Sequence, residues 1–581
     1  MRKVGVLFSQ MLDSQVFGIA KGWHALVTGV LAGAFLLACG GLAPPPESPM
    51  HQSVAGAAAT QPAPATSAPT PINPAAAPST SSESGPAHEL PPHFQKLVER
   101  ALALRANAAP APPPALPPVL QSLNYQGYRG IRFRPERSLW RGEPGRFEAQ
   151  FFHLGFYYRE PVTVAVVPHA GGEPQHLPFS SEMFTYDHVK SPPANADLGF
   201  AGLRLHAPIN NDQYRDEVVV FQGASYFRVV GRGQSYGLSA RALAVDTGEP
   251  KPEEFPRFTE LYLVRPAADD TYIWVLALLE SARVTGAYAF RIEPGSVAHK
   301  DTLIEVTARV FPRSNAGKIG VLGLAPLTSM FLFGEDQPAR FDDFRPEVHD
   351  SDGLASLSST GEWLYRPLRN PGRTTTSSFR LDSPRGFGLL QRDREFASYQ
   401  DLEAHYQDRP SVWIEPLGDW GKGSLRLLEI ATELETDDNI AMLWVPDAVP
   451  VDGVSATYRM HVGFADQHGP RGRAIATRRT TTKNGERFLV DFANDKPAAD
   501  LAKVKAVVSV TGGKLNEQHV ELNQHTNTLR ASFEITPDTN ARDIELRAFL
   551  REGEDVLTET WSYLWQPPWP APALSAAARN R

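Results

Sequence analysis

The sequence predicts an all-β protein, a large β-sandwich followed by a small immunoglobulin-like sandwich, and three observations carry that prediction. Apolar and polar residues alternate with a period of two in one segment after another, the pattern of a half-buried strand. Strand follows strand across Gly, Pro, Asn and Asp clusters with no long helical period between them, which favours antiparallel sandwiches over an α/β sheet. Fifty-one prolines in 581 residues argue against a helical protein.

In chain order, the first element is an export segment. The run from Ala25 to Ala38 carries no charge, follows Lys21, and ends in Leu36-Leu37-Ala38-Cys39. It reads as a signal over residues 1–39 with a lipoprotein cleavage box, in which Cys39, the lone cysteine of the chain, is acylated and becomes the first mature residue. An ordinary cleaved signal and an uncleaved anchor are the alternatives, although about 20 apolar residues are needed to span a bilayer and this core is shorter. The twenty residues ahead of it are long for a signal's basic region, so Met11 is a second candidate start.

Residues 40–116 are rich in Pro, Ala, Ser and Thr, a composition that cannot bury enough apolar area to offset chain entropy, and read as an extended tether. One interruption, His93 to Ala109, carries Phe94, Leu97, Val98, Leu102 and Leu104 at mixed helical spacing and predicts a short helix whose apolar side needs a partner.

The folded part is expected from residue 117. Ile304, Val306, Ala308 and Val310 point one way, while Glu305, Thr307 and Arg309 point the other. Towards the carboxyl end Leu529, Ala531, Phe533 and Ile535 repeat the pattern, and Ile544, Leu546, Ala548 and Leu550 repeat it again. A turn-rich stretch at 465–472 suggests a boundary between a sandwich over 117–466 and an immunoglobulin-like unit over 467–570, with a tail at 571–581.

The balance of 65 acidic against 57 basic residues, with no basic stripe, excludes nucleic acid as an expected partner. No phosphate-cradling loop, zinc-type spacing or nucleophile elbow is present, and no cofactor or metal is expected. Gly231 to Gly237 is only faintly like a dinucleotide fingerprint and lacks the strand-helix context. His349 beside Asp350 is a weak metal pair. Aromatic, Arg and acid residues are instead concentrated in segments that break the strand pattern: Tyr226 and Arg228; Arg345, Glu347 and His349; Trp363 and Tyr365; Trp413; Trp420. Rings stack on sugar C–H faces while Arg, Asp and Glu bind the hydroxyl rim, so together these lean towards a glycan cleft. Each ring taken singly is equally suited to filling a core.

Several blocks then carry a specific resemblance: Asp197-Leu-Gly-Phe-Ala-Gly, Gly223-Ala-Ser-Tyr-Phe-Arg, Tyr236-Gly-Leu-Ser-Ala-Arg, Glu254-Phe-Pro-Arg-Phe, Ala325-Pro-Leu-Thr-Ser-Met-Phe, Gly386-Phe-Gly-Leu-Leu-Gln, Trp420-Gly-Lys-Gly and Asp438-Asn-Ile. In order from about Leu123 to Tyr563 the chain resembles the osmoregulated periplasmic glucan biosynthesis protein G/D family. The resemblance implies a galactose-mutarotase-like sandwich followed by the immunoglobulin-like domain, in the periplasm, with β-1,2-glucan chains as ligand and a membrane glucosyltransferase as a candidate partner. It further implies an inverting β-1,2-glucanase, with the general acid on Asp438, the general base on Asp350, and Tyr236 and Glu435 among the substrate-binding residues. An inverting hydrolase needs one protonated carboxyl for the leaving oxygen and one carboxylate for water, roughly 6.5–9.5 Å apart unless waters relay the proton. Asp437 beside Asp438 is expected to raise the acid's pKa. A non-catalytic glucan binder and an envelope scaffold remain the competing functions. The chain departs from the family's pattern at its front, where Cys39 and the tether imply a lipid attachment as its membrane contact.

Overall fold

A computed structural model describes residues 87–567, apart from 109, 114, 170, 190–197, 465–468, 471, 484 and 494–500. The export segment with Cys39, the first part of the tether and the 571–581 tail lie outside the described residues, as do 465–468 and 471 of the boundary stretch. Among the described residues no helix is long and apolar enough to cross a membrane.

The fold is all-β, as the alternation predicts. A ten-stranded sheet and a fifteen-stranded sheet supply most of the strands. Apolar side chains from both meet in one core, in which Phe221, Phe227, Phe290, Tyr288, Trp444 and Tyr458 are buried. Facing rings sit edge-on or offset, as in the pair Phe221 and Phe290 at 5.2 Å between centroids, the arrangement ring quadrupoles favour.

A four-stranded sheet, formed by Ala474–Thr481, Glu486–Ala493, Gly513–Asn523 and Thr528–Pro537, belongs to a second core around Phe488, Phe533, Trp561 and Tyr563. The strands opposite it, Val504–Thr511, Ile544–Glu552 and Thr560–Trp565, are not a separate sheet. Leu364 and Tyr365 of the strand Trp363–Pro367 pair in parallel with Thr560 and Trp561, so the large sheet runs on into the small sandwich.

One departure from simple alternation has a physical cause. Glu305 and Thr307 are buried although they alternate with the core residues Ile304 and Val306. The outer face of that strand is covered: the backbone N–H of His88 donates to Glu305 Oε1 at 2.7 Å and Arg459 pairs with Oε2 at 3.3 Å. The expected helix spans Pro92–Leu104, with proline in its first turn, where a missing N–H costs nothing. It buries Phe94, Leu97 and Ala101 against Tyr262, Trp274 and Leu276 on the outside of the fifteen-stranded sheet, and leaves Leu102 47 % exposed. Arg100 clamps it to Glu260, and Arg313 donates to the Leu104 carbonyl at 2.7 Å, satisfying an orphan acceptor of the last turn.

Candidate active site

At one end of the ten-stranded sheet four strands bring their tips side by side. Tyr226 pairs with Arg241, Ala240 with Leu327, and Ser329 with Ile440. Asp438 stands just before Ile440, in the turn 430–439. Beyond Ser329 the chain forms Phe331–Phe333, which pairs with Val348–His349, and Asp350 follows. The two aspartates, 88 positions apart in sequence, are thereby fastened to adjacent residues. The Asp350 N–H donates to the Met330 carbonyl at 2.9 Å. Phe331 exchanges bonds with the side chain of Asn439, its N–H donating to Oδ1 at 2.8 Å and its carbonyl accepting from Nδ2 at 2.9 Å. Asn439 is buried and also closes the turn through the Ile430 carbonyl.

Asp438 keeps part of its surface open and is surrounded by charge. Burial pushes its pKa up; the guanidinium groups of Arg228 and Arg241 oppose this, and Asp437 adds to the rise. The expected effect of Asp437 is therefore present but secondary to burial. Arg228 is buried, with Nε donating to Ser239 Oγ at 2.7 Å, and Arg241 lies 4.7 Å above the Tyr226 ring. Asp350 is 1 % exposed and ion-paired with Arg409. The Arg409 guanidinium rests on the Tyr406 ring at 4.4 Å and also acts electrostatically on Asp438. One cation thus influences both carboxyls.

A second cation holds the approach to the turn. Arg345 is bonded to Asp343 at 2.8 Å, Asp401 at 3.0 Å and Glu435 at 2.7 Å, while the Tyr406 hydroxyl donates to the other Glu435 oxygen at 3.3 Å. Behind Asp350, His349 is fully buried between Phe331 and Tyr399, with Nδ1 at 2.8 Å from Gln391 Oε1 and Nε2 at 3.0 Å from Glu347. Burial alone would lower its pKa, but the bond to Glu347 and that carboxylate's charge outweigh it and hold the imidazole at about 9. Glu347, His349 and Asp393 are the one trio among the described residues whose potential metal-ligand atoms all lie within 4.8 Å of one another, and their histidine already has both nitrogens engaged.

The structure brings Tyr226, Arg228, Arg345 and Glu435 to the neighbourhood of the two aspartates, places Glu347 buried against His349 behind Asp350, and corrects the other substrate-binding expectations. His349 has no free face for a sugar and instead fixes Glu347. Tyr236 is buried in the main core. Trp363 and Trp413 pack on each other at 5.2 Å in the core of the small sandwich. Tyr365 is buried there too, donating to Asp352 at 2.8 Å beneath the Arg392 guanidinium. Trp420 packs on Tyr458 and donates to the Thr457 carbonyl at 3.3 Å. It precedes the eight-residue strand Lys422–Glu429, so it lies about 26 Å from the Asp438 turn. These rings close cores: a Cβ on Gly386 would fall 2.1 Å from the Trp413 ring, which is why that strand carries glycine there. Sequence reasoning missed Arg409, Tyr406, Asn439, Asp343 and Asp401 as members of the site.

A protein-family model described as "Periplasmic glucan biosynthesis protein, MdoG" matches residues 93–565. The chain is 44% identical over 487 residues to a protein of Rhodopseudomonas palustris (strain BisA53) named "Glucans biosynthesis protein G", covering 82% of this chain and 95% of that one. It is 45% identical over 492 residues to a protein of the same name from Ralstonia nicotianae, with 81% and 95% covered. A further relative of that name, from Dickeya dadantii, is 39% identical over 489 residues, with 80% and 92% covered.

Proposed function

The chain belongs to the periplasmic glucan biosynthesis protein (MdoG) family, and from that premise we propose that it binds β-1,2-linked glucan and hydrolyses it with inversion. The observation that carries the reading is the attachment of both aspartate segments to the consecutive residues Met330 and Phe331, where one strand ends and the next begins, with Arg409 acting on both carboxyls. In this mechanism Asp438, whose burial favours the protonated form, gives its proton to the glycosidic oxygen as the C1–O bond breaks. A water attacks C1 from the opposite side, and its proton passes to Asp350. Because Asp350 is almost wholly enclosed, that transfer runs through an intervening water or sugar hydroxyl. Tyr226, Arg228 and Arg241 are suited to hold the sugar beside Asp438.

Full-length protein incubated with linear β-1,2-glucan is expected to release shorter oligosaccharides whose new reducing ends are initially of the α anomer, read by NMR during the first turnovers. Binding without any shortening would overturn hydrolysis and leave a glucan-holding protein, working alongside a membrane glucosyltransferase. Initial β product would overturn inversion.

The site is also proposed to work from a membrane surface, through a lipid on Cys39 at the end of the uncharged export run. Cys39→Ala is expected to shift the mature protein from the membrane fraction to the soluble one. Equal partitioning of variant and parent would remove the anchor from the account.

A further inference from the structure

Between the two sandwiches, and separate from the aspartates, lies a cavity of about 670 Å³. One wall is an unbroken run of chain, 373–381, most of it in the strand Thr375–Asp382. That strand ends the ten-stranded sheet: it bonds to Lys422–Glu429 on one side and has no strand on the other among the described residues. Its open side therefore presents backbone donors and acceptors to the cavity. The facing wall comes from Ser356 to Leu364 and from the small sandwich, including Arg547 and Ser562.

The chemistry of the lining selects a class of ligand. Hydroxyls dominate it, among them Ser356, Ser358, Thr374, Thr376, Ser378 and Ser562. The charges present are already spent on one another. Arg373 pairs with Asp543 at 2.6 Å, Arg547 with Glu362, and Glu545 with the buried Arg366. Arg380 pairs with Asp447 just outside. No uncompensated charge is left to attract an ion, while Phe379, Leu364 and Leu381 offer apolar surface between the hydroxyls. A volume in the range of small-ligand sites, lined by neutral donors, acceptors and apolar patches, fits a neutral polyhydroxylated chain.

The groove is also placed to meet such a chain. Thr375 pairs with Glu429, the residue that enters the turn carrying Asp438, and Asp382 pairs with Lys422 at the far end. The eight-residue strand thus leads away from that turn over about 26 Å.

We propose that this cleft is a second glucan-binding site, holding a stretch of chain remote from the reacting linkage; the inference rests on the glucan reading above. It is tested by calorimetric titration of full-length protein carrying Asp438→Asn, which slows turnover by about 10²–10⁴-fold, with long linear β-1,2-glucan oligosaccharides. Two binding events are expected, one of which disappears when Ser378→Trp is added to fill the groove. Ser378 is exposed, so the variant is expected to melt at the parent's temperature; if it does not, Thr374→Trp, also exposed, replaces it. A single binding event that Ser378→Trp leaves unchanged overturns the second site while the proposed function stands. Absence of glucan binding in every variant overturns both. Capture of an extended peptide along the free strand edge, with no second glucan event, overturns the ligand class.

Discussion

Replacing Asp438 by Asn is expected to lower the rate of β-1,2-glucan cleavage by about 10²–10⁴-fold, while the affinity for uncleaved chain stays within a few-fold of the parent's. The amide keeps the shape of the carboxyl but has no acidic proton for the leaving oxygen. Measuring kcat and, separately, Kd by calorimetry distinguishes this from a binding defect; an unchanged kcat would remove Asp438 from the mechanism. The pH dependence has a definite sign. A general acid works when protonated, so cleavage is lost as pH rises through the folded-state pKa of Asp438. Burial raises that pKa above the ordinary aspartate value, so the alkaline limb of the profile is displaced upwards from where an exposed aspartate would put it. A limb at the position of an exposed aspartate would mean that burial does not govern this carboxyl.

The fold was largely legible because its cause is local. Period-two alternation at 529–535 and 544–550 needs only a strand with one face buried, and Phe533, Ile535, Leu546 and Leu550 are indeed fully enclosed. The helix was equally legible in kind, but its buried stripe is Phe94, Leu97 and Ala101, because docking on Tyr262 and Trp274 rather than maximal hydrophobicity sets its rotation. The site divides along a similar line. Motif resemblance picks out Asp350 and Asp438, and neither composition nor spacing could say that Met330 and Phe331 hold their segments next to each other. Aromatic residues were the poorest guide. Trp413 and Trp420 occupy segments that look like binding loops, yet two sandwiches with a continuous sheet between them consume large rings at their junctions and ends. Arg409 was invisible for the opposite reason, since a single Arg in a loop carries no pattern, and Asn439, although it stands within the Asp438-Asn-Ile block, acquires its role only from partners brought in by the fold.

Arg409 is the residue whose loss should be felt most widely. Its guanidinium is 4 % exposed and neutralises Asp350, which is 2 % exposed at its side chain. Removing one member of such a pair leaves a buried charge without its counter-ion, so Arg409→Met is expected to destabilise the protein by about 3–5 kcal/mol. The guanidinium also donates to the Ala404 carbonyl at 3.1 Å and covers the Tyr406 ring, whose hydroxyl reaches Glu435 in the Asp438 turn, so part of the cost is lost packing around the site. The two contributions separate in a double-mutant cycle. Asp350→Asn combined with Arg409→Met has no buried carboxylate to strand, and urea unfolding should find the double variant more stable than Arg409→Met alone by about 1–3 kcal/mol. Cleavage should not return with that stability, because the amide at 350 cannot accept the proton of the attacking water. Strictly additive stabilities would show that the ion pair contributes nothing beyond its parts, and a double variant that cleaves glucan as fast as the parent would remove Asp350 as the base.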